Sequence, residues 1–467
     1  MKRQKTNSGS SKIGSNRAFV SRLTGCKAAK IAVFIFVLSL FTVVTADGGT
    51  EKYEAKWDSV EQYQIPEWFK DAKFGIFFRW GPYSVGAMGF SWYPRHMYRE
   101  GHFINEYHKE HFGDPAEFGY KDFIPMLKAE KWEPDAWAEL FKEAGARYVI
   151  PVACHHDGFA MYNSHHTRWN AVNMGPKRDV IGEISSAVRR KGLKCGVSSH
   201  YAWNWRYYDY AYDGSHPEIE AKYDINSGKY YGLYGFSRHK TSDKASEAFK
   251  THWLERCKDI IDQYQPDLLY FDFGWQSFGD YRTKLAAYYY NKALEWDKGV
   301  GVTYKKQHMS LGTGILDFER GGPGDMILPM SWQTCTSVST KSWQFRHGDE
   351  FKTPVWLITQ LCDNVSKNGN VLLNIGPRPD GTIPPELTRL LKAIGAWLKI
   401  NGEAIYETRP WRTFGEGPSI KEAGYTRDKV FKPYTAGDIR FTRKGNALYA
   451  ILLGWPDDNE ITIKSVR

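Results

Sequence analysis

The feature that most constrains this 467-residue chain is an alternation, beyond residue 47, of short apolar runs with longer amphipathic stretches. Parallel strands need crossover connections of a dozen residues or more, so this alternation predicts β-α units around a parallel sheet. The strand-like runs are Lys73–Phe78, Arg147–Ala153, Leu193–Ser199, Asp267–Phe273, His308–Gly312 and Gly369–Gly376. Helical periodicity predicts Pro134–Ala144, Val180–Lys191 and Ala245–Tyr264, the last with Trp253, Leu254, Cys257, Ile260 and Ile261 on one face. Apolar runs without clean alternation indicate strands buried on both faces, as in a barrel wall. A doubly wound open sheet is the alternative, and neither an internal repeat nor a GxGxxG loop supports it. The expectation is an α/β chain with a (β/α)8-like (TIM) barrel. After a last amphipathic helix, Pro384–Asn401, short β-like pieces read as a small C-terminal β-sandwich. Its early stop at Arg467 leaves two readings, an incomplete sandwich or a truncated chain.

The net charge of +10 would point to nucleic acid or membrane if it were spread over the fold. It is not, because residues 1–30 hold eight Lys or Arg and no Asp or Glu, which leaves +2 for everything downstream. A nucleic-acid partner loses its support. The basic segment runs into Ile31–Val44, an apolar stretch long enough for a signal-peptide core and short for a transmembrane span. Val44 and Ala46 fit a cleavage site, so the mature chain is expected to begin near Asp47 and to be secreted, periplasmic or lysosomal. An uncleaved anchor is the alternative and the one route to a membrane. The expected organisation is a signal peptide over 1–46, a catalytic barrel over 47–403 and the sandwich over 404–467.

Five cysteines follow the targeting segment (Cys154, Cys195, Cys257, Cys335, Cys362), with no CxxC or tight framework spacing. An odd number leaves at least one thiol free, and scattered cysteines of this kind are usually small buried hydrophobes. No metal site is expected. The chain is rich in aromatics, with 18 Trp, 29 Tyr and 26 Phe, which suits surfaces that stack on sugar rings as well as core packing.

In such a barrel the polar residues at the carboxyl ends of strands face the active site. Three ends stand out: Phe74–Phe78 leads into Arg79-Trp80-Gly81, Val149–Ala153 into Cys154-His155-His156-Asp157-Gly158, and Leu268–Phe271 into Asp272. Asp272, a lone carboxylate between Phe271 and Phe273, is either a buried structural group or a catalytic one. Neighbouring His155 and His156 would point opposite ways on an extended chain, so they make a poor metal pair; at least one faces the pocket.

These and further pieces resemble the retaining α-L-fucosidases of glycoside hydrolase family 29. The resemblance runs from about Trp68 to Trp411 and rests on KFGIFFRWGPYSV, SWYPRHMY, CHHDGFAMYNS, GPKRDVIGE, PDLLYFDFGW, SWQTCTSVSTKSW, NVSKNGNVLLNIGPRPDGTIP and INGEAIYETRPW. It implies a barrel with a C-terminal β-sandwich, release of terminal α-L-fucose with net retention, and no cofactor. By matching position, Asp272 is the nucleophile, His155 and His156 bind the sugar, Trp92 lies beside it and Trp275 belongs to the pocket wall. Arg79 and Arg320 complete the substrate-binding candidates.

Three departures bear on specificity and catalysis. Arg79 stands where the family usually has His, and Ser91 where it usually has Glu. Gln333 replaces a Glu that is one family candidate for the acid/base, and an amide cannot exchange a proton at neutral pH. The loop read at Asp317-Phe318-Glu319-Arg320-Gly321-Gly322 offers Glu319 as the replacement, with Asp317 second; a surface ion pair of Glu319 with Arg320 is the competing reading. The expected protein is an exo-acting retaining α-L-fucosidase acting on terminal fucosyl glycans. Arg79 brings sulfated fucose and α-L-galactose into consideration as sugars. The alternative is a catalytically silent fucose-binding relative that lost its acid/base. Oligomeric state is not legible.

Overall fold

The computed structural model describes residues 20–22, 52–235, 244–428 and 433–466. Eight parallel strands close into a barrel: β1 Phe74–Phe78, β2 Tyr148–Cys154, β3 Lys194–Ser199, β4 Leu268–Phe271, β5 Gly301–Tyr304, β6 Ile315–Glu319, β7 Trp332–Ser337 and β8 Gly369–Ile375. They follow one another in chain order round the barrel, and β8 closes it by pairing with β1, Asn374 opposite Phe77.

Side chains on a strand alternate between its two faces, and this decides what the barrel contains. Phe77, Tyr148, Ile150, Val152, Leu268, Tyr270, Ile315, Cys335 and Leu372 form one inner cluster with Phe69. The intervening residues, among them Ile76, Phe78, Val149, Val197, Leu269 and Phe271, pack outward in the larger cluster shared with the helices. Those helices are α1 Pro134–Glu143, α2 Val180–Arg190, α3 Glu247–Tyr264, α4 Tyr281–Glu295, α5 Pro354–Ser366 and α6 Pro385–Asn401. Their starts are set by ordinary capping: Ser246 Oγ accepts from Phe249 N at 3.2 Å before α3, and Thr353 Oγ1 from Trp356 N at 3.2 Å before α5, where Pro354 takes the first turn.

Two connections depart from a regular repeat. Residues 305–314 between β5 and β6, and 320–331 between β6 and β7, contain no helix. The outer wall there is covered from the C-terminal region. Gly322–Pro323 pairs with Ala423–Gly424, Thr426 N donates to Glu319 O at 2.8 Å, and α5 contributes Asp363, which Arg440 grips at 2.6 Å. The C-terminal region itself is an antiparallel sheet of β9 Arg409–Glu416, β10 Ile439–Lys444 and β11 Ala447–Leu452.

The run His308–Gly312, read as a strand, is a turn: Leu311 is exposed and Gly312 takes φ 90°. The strands around it, β5 and β6, are only four and five residues long and carry polar inward residues, so they lack an apolar signature. Asp317 and Glu319, read as part of a loop, therefore lie on a barrel strand. All five cysteines beyond residue 47 are unpaired and buried. The proposed signal peptide lies outside the described residues except for Val20–Arg22, which pairs antiparallel with β11. Among the described residues no helix is long and apolar enough to cross a membrane.

Candidate active site

Continuing the inward series of each strand by one more pair of residues builds the site. Leu268 and Tyr270 lead to Asp272, Phe77 to Arg79, Cys335 to Ser337, and Leu372 to Asn374. Gly301 has its α-carbon turned to Leu268 and Ile315 inside the barrel, so the same count leads through Thr303 to Lys305. The ring of strand ends is thus polar by register, on top of an apolar floor.

Asp272 is the hub. Its Oδ2 lies 3.0 Å from His200 Nδ1, 3.7 Å from His156 Nε2 and 3.6 Å from the Arg79 guanidinium, while Oδ1 meets Lys305 Nζ at 2.9 Å. Burial alone would push this carboxyl upward, but Lys305, His200 and His156 together hold it well below the usual carboxylate range. It is therefore an anion at every physiological pH. Burial has the opposite effect on the imidazoles: His155 falls well below its ordinary value, His156 is lowered against the pull of Asp272, and His200 drops to about 3. Three neutral imidazoles offer both donors and acceptors, the chemistry that sugar hydroxyls require.

Lys305 reaches a second carboxylate. Its Nζ contacts Glu319 Oε2 at 2.5 Å and lies 3.9 Å from Asp317 Oδ2. Burial pulls the ammonium down, and the carboxylates around it, Asp272 first and then Glu319 and Asp317, more than reverse this, raising it well above the ordinary lysine value. Glu319 is partly open to solvent at the rim, with 26% of its side chain exposed, whereas Asp317 is sealed beneath it. Asp317 accepts from Tyr270 Oη at 3.0 Å and Cys335 Sγ at 3.2 Å, and burial pushes its carboxyl up to about 6. Position separates the two acids: one at the rim, one in the floor.

The remaining sequence candidates lie at different depths around this hub, and Trp275, expected in the pocket wall, lies behind it. His155 and His156 lie beyond the last residue of β2, where the chain turns, and their rings sit 4.7 Å apart on the same side rather than opposite each other. Trp92, Trp203 and Phe273 form a half-buried aromatic rim, with ring centres 5.0–6.1 Å apart. Trp275 packs behind the strand end against Trp253 and Phe271, and its Nε1 donates to the Asp272 carbonyl at 3.1 Å; it supports the carboxylate's backbone from outside the barrel. Arg79 donates to Ser91 Oγ at 3.3 Å and lies over Trp343 at 4.6 Å. Arg320 lies over the same indole at 4.7 Å and pairs with Asp428 at 3.6 Å, so Glu319 and Arg320 go to different partners. Gln333 is in the barrel floor, where its Oε1 accepts from Tyr148 Oη at 3.0 Å. An acidic residue is therefore not missing from the strand-end ring.

His200, Lys305 and Trp343 were not found by inspection of the sequence. The first two obey the strand-end rule that located Asp272, applied to two more strands; Trp343 carries no local signal, since Asn374 fixes its carbonyl at 2.8 Å from across the barrel mouth. His155, His156 and His200 place one nitrogen each within 4.8 Å of the others and are the residues that could hold a transition ion. Arg79 and Lys305, fixed on the same carboxylate, oppose a divalent cation there and do not oppose an uncharged sugar. A separate cavity of about 520 Å³ lies outside the barrel wall, between Thr334, Thr336, Gln360 and Lys421, and shares only Arg320 with this site.

A parallel barrel with two carboxylates joined by a lysine at its carboxyl rim, walled by imidazoles and aromatic rings, defines a glycoside hydrolase. The comparisons agree and narrow the class. The alpha-L-fucosidase family model matches residues 40–403. Tissue alpha-L-fucosidase of Rattus norvegicus is 32% identical over 443 residues, 92% of this chain and 86% of that protein, and the Homo sapiens counterpart is 31% identical over 422 residues, 89% and 81%. The crystal structure of Thermotoga maritima alpha-fucosidase superposes with a TM-score of 0.70 at 30% identity, covering 87% of each chain. The same bacterial enzyme in complex with fucose gives a TM-score of 0.69. The chain belongs to the alpha-L-fucosidase family.

Proposed function

We propose that the protein is an exo-acting, retaining α-L-fucosidase in which Asp272 is the nucleophile and Glu319 the acid/base. The observation that carries this reading is the Lys305 bridge. With Asp272 Oδ1 at 2.9 Å and Glu319 Oε2 at 2.5 Å from one nitrogen, the two carboxylate oxygens can be no more than the sum of those contacts, 5.4 Å, apart. Retaining glycosidases hold their carboxyls about 5–5.5 Å apart, inverting ones about 6.5–9.5 Å, because the latter need room for a water.

In the first half-reaction an Asp272 oxygen attacks the anomeric carbon, the bond to the leaving oxygen breaks, and Glu319 gives that oxygen its proton. In the second, water attacks the same carbon, the bond to Asp272 breaks to restore the carboxylate, and Glu319 accepts the water's proton. His155, His156 and His200 bind ring hydroxyls, and Trp92 with its aromatic neighbours receives the apolar face of the sugar. The silent-protein reading rested on Gln333, which sits in the floor beside Tyr148. Incubation with an aryl α-L-fucoside, followed by NMR of the first-formed sugar, is expected to give the α-anomer; the β-anomer would overturn the retaining assignment.

Arg79 and Ser91 refine the substrate. Where the family usually has a His and a Glu, this chain places a guanidinium on a hydroxyl, with Arg79 Nε left unpartnered in the buried site. That group suits a sulfate or the additional hydroxyl of α-L-galactose. An unpaired buried donor costs about 1–3 kcal/mol, so Arg79→His should shift the ratio of kcat/KM toward plain fucosides roughly five- to 150-fold. An unchanged ratio assigns Arg79 to holding Asp272. The basic segment and apolar run before residue 47 support export by a cleaved signal peptide, testable by N-terminal sequencing of secreted protein.

A further inference from the structure

Lys305 is a fully buried cation held between two carboxylates that the reaction uses in opposite ways, and this follows from register alone, since it is the inward residue one step beyond β5. Around its ammonium stand Asp272 from the end of β4, Glu319 and Asp317 from β6, Cys335 from β7, and the Tyr270 ring at 6.0 Å. It is the shared counter-ion of the site.

We propose that Lys305 is a positioning residue that speeds the second half-reaction relative to the first: its ammonium lies on the Asp272 oxygen that is charged before attack, uncharged in the glycosyl ester, and charged again when that ester breaks. The inference rests on the roles given to Asp272 and Glu319 above. In the free enzyme the ammonium contacts both Asp272 and Glu319; for the first half-reaction Glu319 takes a proton from solvent at the rim, and the charge of Lys305 then faces Asp272 alone. Attack on the anomeric carbon turns the Asp272 carboxylate into an uncharged ester, and that arm of the bridge loses its Coulombic term. The ammonium then faces Glu319, a carboxylate once it has given up its proton; this contact keeps Glu319 ionised but weakens it as a base, so the gain in the second step comes from Asp272. When the ester bond breaks, electrons return to Asp272 Oδ1, 2.9 Å from the same ammonium in the free enzyme, which stabilises the departing carboxylate. The Asp272 contact favours hydrolysis of the intermediate over its formation, because a cation there stabilises the reactant carboxylate of the first step and the departing carboxylate of the second. The bridge thus biases the enzyme against accumulating its own covalent intermediate.

The test uses Lys305→Gln, Lys305→Met and Lys305→Arg in the full chain, with 4-nitrophenyl α-L-fucoside as probe. Stopped-flow release of nitrophenol and mass spectrometry of acid-quenched protein are read together. In the neutral variants deglycosylation should slow about 10- to 100-fold, at or below the loss of one donor that stabilises developing negative charge. A burst approaching one equivalent should appear, with one fucosyl adduct on the protein at steady state. Azide, a stronger nucleophile than water, should raise turnover of these variants in part by attacking the accumulated adduct, while Lys305→Arg should show a smaller adduct. Burst and steady state slowed equally, with no adduct and no azide effect, would overturn the proposal, since that is what a merely structural lysine predicts. If neither neutral variant folds, adduct formation in Lys305→Arg decides in the same way. Glu319→Gln separates the two levels. Wild-type turnover of poor-leaving-group fucosides by that variant removes the acid/base role itself; an adduct in Lys305→Gln then assigns the bias to the Asp272 arm alone, and its absence overturns it entirely.

Discussion

The upper and lower layers of the barrel interior are built from the same strands, yet they treat polar groups differently. In the floor, polar side chains are tied to one another: Tyr148 donates to Gln333, and Tyr270 and Cys335 donate to Asp317. At the rim, both ring nitrogens of His155 are unpartnered, and Asp272 is surrounded by cations and imidazoles. Groups tied to one another across the floor hold the fold, whereas groups gathered round one charged carboxylate at the strand ends are disposed to receive a substrate. The comparison teaches that losses in the two layers should fall on different observables, activity above and stability below.

The largest effect should come from the rim. Asp272→Asn, isosteric but unable to attack, should lower turnover on the order of 10³-fold or more, with the melting temperature shifted by only a few degrees. Steady-state kinetics with an aryl fucoside beside calorimetry measures both, and an unfolded variant with unchanged specific activity in its folded fraction would dissolve the distinction between layers.

Next comes a floor position that the sequence made look catalytic. Gln333→Glu should leave kcat/KM within about twofold, because the side chain meets Tyr148 and Asp317 rather than Asp272. It should cost about 1–3 kcal/mol of stability by burying a second carboxylate. A rise in activity by orders of magnitude would move the acid/base from Glu319 to this position.

The smallest effect sits at the very base, where Lys73 is fully buried with Nζ unpartnered and burial lowers its pKa to about 7. The sign follows from linkage. Between about pH 7 and the unfolded lysine value near 10.4 the unfolded chain holds the extra proton, so stability rises with pH across that window and the penalty is complete below it. Lys73→Met should therefore stabilise by up to about 2 kcal/mol at pH 6, with the difference shrinking by pH 10. Thermal melts of both proteins at those two pH values check it; a gain independent of pH would show that packing, not charge, is responsible.

Much of this was legible in the sequence, and the reasons it stopped are physical. Strands β1–β4 and β8 announce themselves through apolar runs, and β1, β2 and β4 led directly to Arg79, His155, His156 and Asp272. Strands β5 and β6 did not, since their inward residues Thr303, Asp317 and Glu319 are polar and a four-residue run has no periodicity to measure. Losing β5 meant losing Lys305, and the helix-free connections on either side of β6 made its acids look like loop. His200 stands one residue past the end of β3 at Ser199, where the polar run Ser198-Ser199 before it carries none of the apolar-to-polar contrast that marks Asp272. The departure at Gln333 seemed serious because a motif match carries no depth; register places it beside Tyr148, far down the wall.

The helix-free stretch of wall after β6 has a consequence for how such a chain can evolve. Thr426 N holds the carbonyl of Glu319, and Gly321 approaches Gly424 so closely that a side chain there would collide with its carbonyl. The C-terminal sheet and its loops are therefore not an accessory that recombination can swap for another carbohydrate-binding unit. Any replacement has to reproduce the backing of a residue placed in the reaction, so the two parts are constrained to drift together, as one heritable unit.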